Sequence, residues 1–87
     1  MNQCPCCDYF SLARRGRSLV CPVCFWEDDC EDYKLPNIDA VSDVNNDLTL
    51  KKARANFKGF GACSKNFVEV VISKKERDTL KYERRSI

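Results

Sequence analysis

Two short cysteine motifs constrain this chain more than anything else in it. Cys4-Pro5-Cys6-Cys7 and Cys21-Pro22-Val23-Cys24 are C-x-x-C knuckles, with thirteen residues between Cys7 and Cys21. Two cysteines three apart on a proline-opened turn bring both sulfurs to one ion, and a second such turn completes a tetrahedron. Superposing the knuckles pairs Cys4 with Cys21, Pro5 with Pro22 and Cys7 with Cys24, and sets Cys6 over Val23. The expected ligands are therefore Cys4, Cys7, Cys21 and Cys24, although spacing alone leaves Cys6 and Cys7 interchangeable. Thiolate cages take iron as well as zinc, and zinc is the expected ion for a small structural site.

Length makes such a staple necessary. At 87 residues the chain is expected to hold one core, and a core of this size seldom offsets the entropy of ordering without a metal or disulfides. Seven cysteines fit either device. The odd count, the adjacent Cys6 and Cys7, and the lack of a basic stretch followed by an apolar run after Met1 favour reduced thiolates in a cytoplasmic protein. Apolar runs such as residues 70–72 are far too short to span a membrane.

Between the knuckles, residues 8–13 and 18–20 are apolar-rich runs around the basic turn Arg14-Arg15-Gly16-Arg17. They predict a β-hairpin with a knuckle at each end, the construction of a zinc ribbon. Residues 34–47 are rich in turn formers and predict a loop wrapping the ribbon, docked by Ile38, Val41 and Val44. A helix is expected over residues 50–60, capped by Thr49, striped by Leu50, Ala53, Phe57 and Phe60, and ended by Gly61, with Lys51, Lys52, Arg54 and Lys58 left for solvent. Ser64 is placed to cap a second helix through Phe67, Val70 and Val71. The fold class is a small α+β metal-stabilised domain, a zinc ribbon capped by one or two helices, over residues 1–72. Residues 73–87 form a basic C-terminal extension, either a frayed helix or a tail.

The same residues argue against catalysis. Four cysteine ligands leave no open position for water on the ion. The chain has no histidine to shuttle protons. Cys63 is expected as a small buried hydrophobe, while Cys6, Cys30 and Cys63 together offer at most a weak second site or a redox function.

The chain resembles the small bacterial cysteine-rich CPCC proteins. The resemblance is carried by Cys4-Pro5-Cys6-Cys7, by Cys21-Pro22-Val23-Cys24-Phe25-Trp26-Glu27-Asp28-Asp29 and by the string from Ala53 through Phe60-Gly61-Ala62-Cys63, and it covers roughly residues 4–70. It implies zinc binding and immunity against a partner toxin. Where that family tends to place glycine, after the first knuckle and after the acidic string, this chain has Asp8 and Cys30. A backbone with positive φ is therefore expected at Asp8.

Charge divides the chain in two. Residues 1–47 hold four Lys/Arg against nine Asp/Glu, a net of −5, and residues 48–87 hold eleven against four, a net of +7. Five carboxylates fall within residues 27–32. They read either as a solvated loop or as a recognition patch in which Trp26 and Tyr33 anchor while Glu27, Asp28, Asp29, Glu31 and Asp32 meet a basic partner. A calcium loop is the weaker alternative, and Trp26 is equally suited to packing on the ribbon. The expected partner is a protein, most concretely a basic toxin domain such as a nuclease. The alternative is a nucleic-acid-binding ribbon using Arg14, Arg15, Arg17 and the C-terminal basic run.

Overall fold

The computed structural model describes residues 1–29 and 36–87. Two small antiparallel sheets and one main helix surround a cluster of cysteines. Strand β1 (Asn2–Gln3) pairs with β2 (Phe10–Leu12), so the first knuckle is the tip of a hairpin made by its own flanks. The second knuckle is built the same way, with Val20 bridged to Glu27 and backbone bonds from Asp28 N–H to the Leu19 carbonyl and from Ser18 N–H to the Asp28 carbonyl. Residues 8–20, expected as one hairpin, thus send their two arms to different partners. The physical reason lies at Asp28. Its fully buried carboxylate accepts from Arg15 Nε at 2.7 Å and from Gly16 N–H at 2.9 Å, drawing the basic turn across the second knuckle.

Strands β3 (Val41–Ser42) and β4 (Leu48–Thr49) form a second hairpin around a 3-10 turn at Asp43–Asn45. Ile38 packs against the core, but Val41 and Val44, expected to dock the segment, are exposed. Buried polar residues do the docking instead. Asn45 accepts from Glu27 N–H and donates to the Glu27 carbonyl, both at 2.9 Å, and the Ser42 hydroxyl donates to Asp29 Oδ2 at 2.7 Å. Side-chain amides in such positions replace a missing rung of sheet.

Helix α1 (Leu50–Phe60) starts and stops where its sequence predicts. Thr49 Oγ1 accepts from Lys52 N–H at 3.1 Å. Gly61, at φ 86°, takes the left-handed conformation and donates to the Phe57 carbonyl. Leu50 and Ala53 are buried, Phe57 packs against the core and Phe60 is largely exposed. Arg54, expected on the solvent face, is buried, because its guanidinium has a carboxylate to meet inside.

The expected helix after Ser64 is reduced to a 3-10 turn at Lys65–Phe67. The Ser64 side chain makes no capping bond there, and Val68 and Val70 face solvent. A short helix α2 (Lys74–Arg77) follows, opened by a capping box between Ser73 and Glu76. Arg77 lies over the Phe57 ring at 5.2 Å and fastens α2 to α1. Residues 81–85 then run back to the first knuckle. Phe10 N–H donates to the Lys81 carbonyl at 2.8 Å, and Tyr82 forms an antiparallel bridge to Tyr9. No helix among the described residues is long and apolar enough to cross a membrane.

Candidate metal centre

The two knuckles repeat one backbone pattern. In the first, Cys4 N–H donates to the Tyr9 carbonyl and Asp8 N–H to the Cys4 carbonyl. In the second, Cys21 N–H donates to the Trp26 carbonyl and Phe25 N–H to the Cys21 carbonyl. Each turn closes on a left-handed residue, Asp8 at φ 68° and Phe25 at φ 69°. The positive φ expected at Asp8 is present, and its counterpart at Phe25 has no glycine-like signal in the sequence.

These turns bring Cys4, Cys7, Cys21 and Cys24 together, with every sulfur within 4.8 Å of the others. Cys4 Sγ lies 3.7 Å from Cys24 Sγ, and Cys7 Sγ lies 3.8 Å from Cys21 Sγ. Four sulfurs about 2.3 Å from a central zinc form a tetrahedron with edges of about 3.8 Å. The spacing is therefore that of a tetrathiolate cage, and it is too wide for an S–S bond at about 2.0 Å. All four cysteines are buried, which excludes water from the shell.

Hydrogen bonding around the sulfurs suits thiolates. Val23 N–H points at Cys21 Sγ from 3.3 Å, and the Ser11 hydroxyl sits 3.0 Å from the same sulfur, placed to donate to its thiolate form. Neighbouring thiols, Cys24 foremost, then Cys4 and Cys7, hold the Cys21 thiol well below the usual cysteine range. Burial pushes Cys7 and Cys24 well above it. Four sulfurs at such short range cannot all ionise alone, and a divalent cation removes the conflict by stabilising every thiolate at once.

The remaining described cysteines stand outside this cage. Cys6 is buried, and burial pushes its thiol up. Cys63 is also buried, as expected of a small hydrophobe, and burial pushes its thiol up to about 12. Cys63 acts through its backbone, donating to the Cys24 carbonyl at 2.8 Å and accepting from Asn56 Nδ2 at 2.9 Å. Cys30 lies outside the described residues.

A charged group not foreseen from the sequence braces the first knuckle. Asp8 receives both arms of Arg54 at 2.7 and 2.8 Å, and Arg85 adds its Nε and backbone N–H, both at 3.0 Å. Burial opposes the Asp8 charge, but the two arginines outweigh it and hold the carboxyl below its ordinary range. The same guanidiniums reach the ligand turn directly. Arg54 Nη1 donates to the Pro5 carbonyl at 2.7 Å, and Arg85 Nη2 donates to the Cys4 carbonyl at 3.0 Å. The only advance sign was Asp8 standing where glycine was expected.

The acidic string is placed differently from a continuous recognition face. Trp26 is only 3 % exposed and belongs to the core, with no hydrogen-bond partner for its indole nitrogen. Asp28 is 0 % exposed and holds the basic turn. Glu27 is half-buried and Asp29 is exposed, while Glu31, Asp32 and Tyr33 lie outside the described residues.

Comparison with known proteins decides the lineage. The model of the family described as Cysteine-rich CPCC matches residues 2–78. The chain belongs to that family. The CPCC match extends beyond the 4–70 of the sequence resemblance and takes in α2, leaving the strand-like residues 81–85 beyond it. No curated protein and no solved structure matches the chain.

Proposed function

We propose that this CPCC protein is a zinc-binding interaction module, in which Cys4, Cys7, Cys21 and Cys24 hold one structural zinc ion in the manner of a zinc ribbon. The observation that carries this reading is the sulfur spacing of 3.7 and 3.8 Å within a buried set of four. Zinc fits the donor set because four thiolates in a closed tetrahedral shell match its chemistry in small structural domains. A filled shell offers no position to a substrate, so the module works by contact rather than catalysis. Its partner in this reading is a basic protein, consistent with the net −5 of residues 1–47 and with the neutralising role that the resemblance implies. Because Trp26 and Asp28 are structural, the contact surface among the described residues narrows to Glu27 and Asp29.

Native mass spectrometry of the protein taken gently from its own cells tests both halves. One zinc per chain with a stoichiometric basic protein is expected. A folded, metal-free chain overturns the zinc site, and a zinc-loaded chain carrying only nucleic acid overturns the partner class.

A further inference from the structure

We propose that residues 81–85 are a metal-linked strap, held on the first knuckle by the same structure that holds the ion, so that strap and ion each slow the other's release. This rests on the zinc-binding reading above. The strap is fastened at several points, all on one half of the site. Tyr82 packs against Tyr9 in a tilted pair with ring centroids 4.8 Å apart. Gln3 Nε2 donates to the Glu83 carbonyl at 2.6 Å, and Glu83 N–H donates to the Asp8 carbonyl at 3.3 Å. Arg85 closes the strap by reaching Asp8 with its backbone and side chain and Cys4 with its side chain, and its own carbonyl accepts from Arg54 Nη2 at 3.1 Å.

The acceptors to which the strap donates from Glu83 and Arg85, the Asp8 carbonyl and carboxylate and the Cys4 carbonyl, belong to a turn whose shape the ion fixes. Asp8 follows the ligand Cys7 and is held in a left-handed conformation, and the Cys4 carbonyl that Arg85 grips belongs to a ligand residue. With the ion bound, the turn 4–8 is tied to the second knuckle through sulfur. With it gone, that turn loses its links through sulfur across the cage, and the carbonyls and carboxylate that the strap needs lose their fixed positions. Charge works in the same direction. Four thiolates around a dication carry a net −2, and Arg54 and Arg85 bring two positive charges against the ligand turn with Asp8 bridging them. Coupling of this kind is reciprocal, so whatever the ion contributes to strap docking the strap contributes to ion affinity. Arg85 and Tyr82 are positioning residues for the metal.

The test uses the zinc-loaded 87-residue chain and two variants, Arg85→Ala and Tyr82→Ala, which unfasten the strap at different points. Zinc transfer to a coloured chelator and amide hydrogen exchange are followed together. The expected result is zinc loss about 10-fold faster or more in Arg85→Ala, the range seen when groups supporting metal ligands are removed. Fast exchange should be confined to the Phe10, Glu83 and Arg85 amides. The Cys63 and Ile72 amides, which donate to Cys24 and Pro22 of the second knuckle, should stay protected. Arg85→Lys should recover part of the retention. Unchanged zinc loss with a loosened strap overturns the proposal, as does faster loss with the Cys63 and Ile72 amides equally exposed, which marks general unfolding. If Arg85→Ala does not fold, Tyr82→Ala decides by the same readings. Failure of the unmodified chain to take up one zinc overturns the metal site itself, a different result from either.

Discussion

The first knuckle closes on Asp8 and the second on Phe25, both left-handed, and the two turns share the same hydrogen bonds, yet their surroundings have almost nothing in common. The first is gripped by charge, with Asp8 caught between Arg54 and Arg85 and residues 81–85 laid over it. The second is gripped at its turn by packing and main chain, with the buried Arg15–Asp28 pair drawing the basic turn across it. Phe25 stacks on Phe67 with centroids 4.6 Å apart, Val23 is fully buried, and the Cys63 and Ile72 amides donate to the Cys24 and Pro22 carbonyls. A left-handed non-glycine residue costs on the order of 1 kcal/mol or more, and the two knuckles offset that cost by unrelated means. Backbone geometry at a metal turn therefore does not determine what supports it.

The comparison breaks most completely if the ion is taken away, since both halves depend on it. Cys24→Ser, or a strong chelator on the unmodified protein, should abolish the cooperative thermal transition. Structural zinc in small domains contributes on the order of 10 kcal/mol of apparent binding free energy to folding. A chelated protein that still melts cooperatively at the same temperature would show that packing alone suffices.

Next in size is the charged grip. Asp8→Ala leaves two guanidiniums facing each other without their counter-ion and should cost about 3–5 kcal/mol in urea denaturation. Asp8→Asn sharpens this result, because asparagine tolerates the left-handed conformation but carries no charge. An equal loss in both variants assigns the effect to charge, and near-normal stability of Asp8→Asn assigns it to the backbone. Acidity offers the same cut without mutation. Asp8 has a folded pKa below its ordinary 3.8, so the unfolded chain binds more protons near that value. The stability it contributes is complete only above about pH 5 and is lost as pH falls through the lower folded value. The acid limb of the zinc-loaded protein's stability profile should therefore shrink in Asp8→Asn.

A smaller effect is expected from the packed side. Phe67→Ala removes a half-buried ring from Phe25 and should cost about 1–2 kcal/mol, with the acid limb unaltered. The smallest is expected away from both knuckles, where Ser73→Ala breaks the capping box of α2 and should cost about 1 kcal/mol or less, read as faster exchange at the Glu76 amide.

How much of this was legible beforehand follows the same division. Superposing the two C-x-x-C knuckles pointed to the four sulfurs that cluster, because such a turn is a local object, although spacing alone left Cys6 and Cys7 interchangeable. The Thr49 and Gly61 boundaries of α1 were equally local and equally readable. Arg54 was misjudged because amphipathic spacing ranks side chains by polarity, and a buried arginine is recognised only once its carboxylate, 46 residues away, is in place. Asp28 was misjudged for the same reason, since its neighbours Glu27 and Asp29 make it look solvated while Arg15 and Gly16 draw it inside. Phe67, Val70 and Val71 suggested a helix, but the chain here follows the surface of the second knuckle, where Ile72 N–H finds the Pro22 carbonyl, and that pairing overrides the helical pattern.

The bond from Gln3 to Glu83 spans eighty positions of sequence. On a ribosome, residues emerge in order, and contacts between distant positions must wait for the later partner. The braces described for the second knuckle are all in place once residue 72 is out, whereas the first lacks its closing bonds until residue 85 has been added. During synthesis the four ligands are available well before the strap that closes the first turn exists.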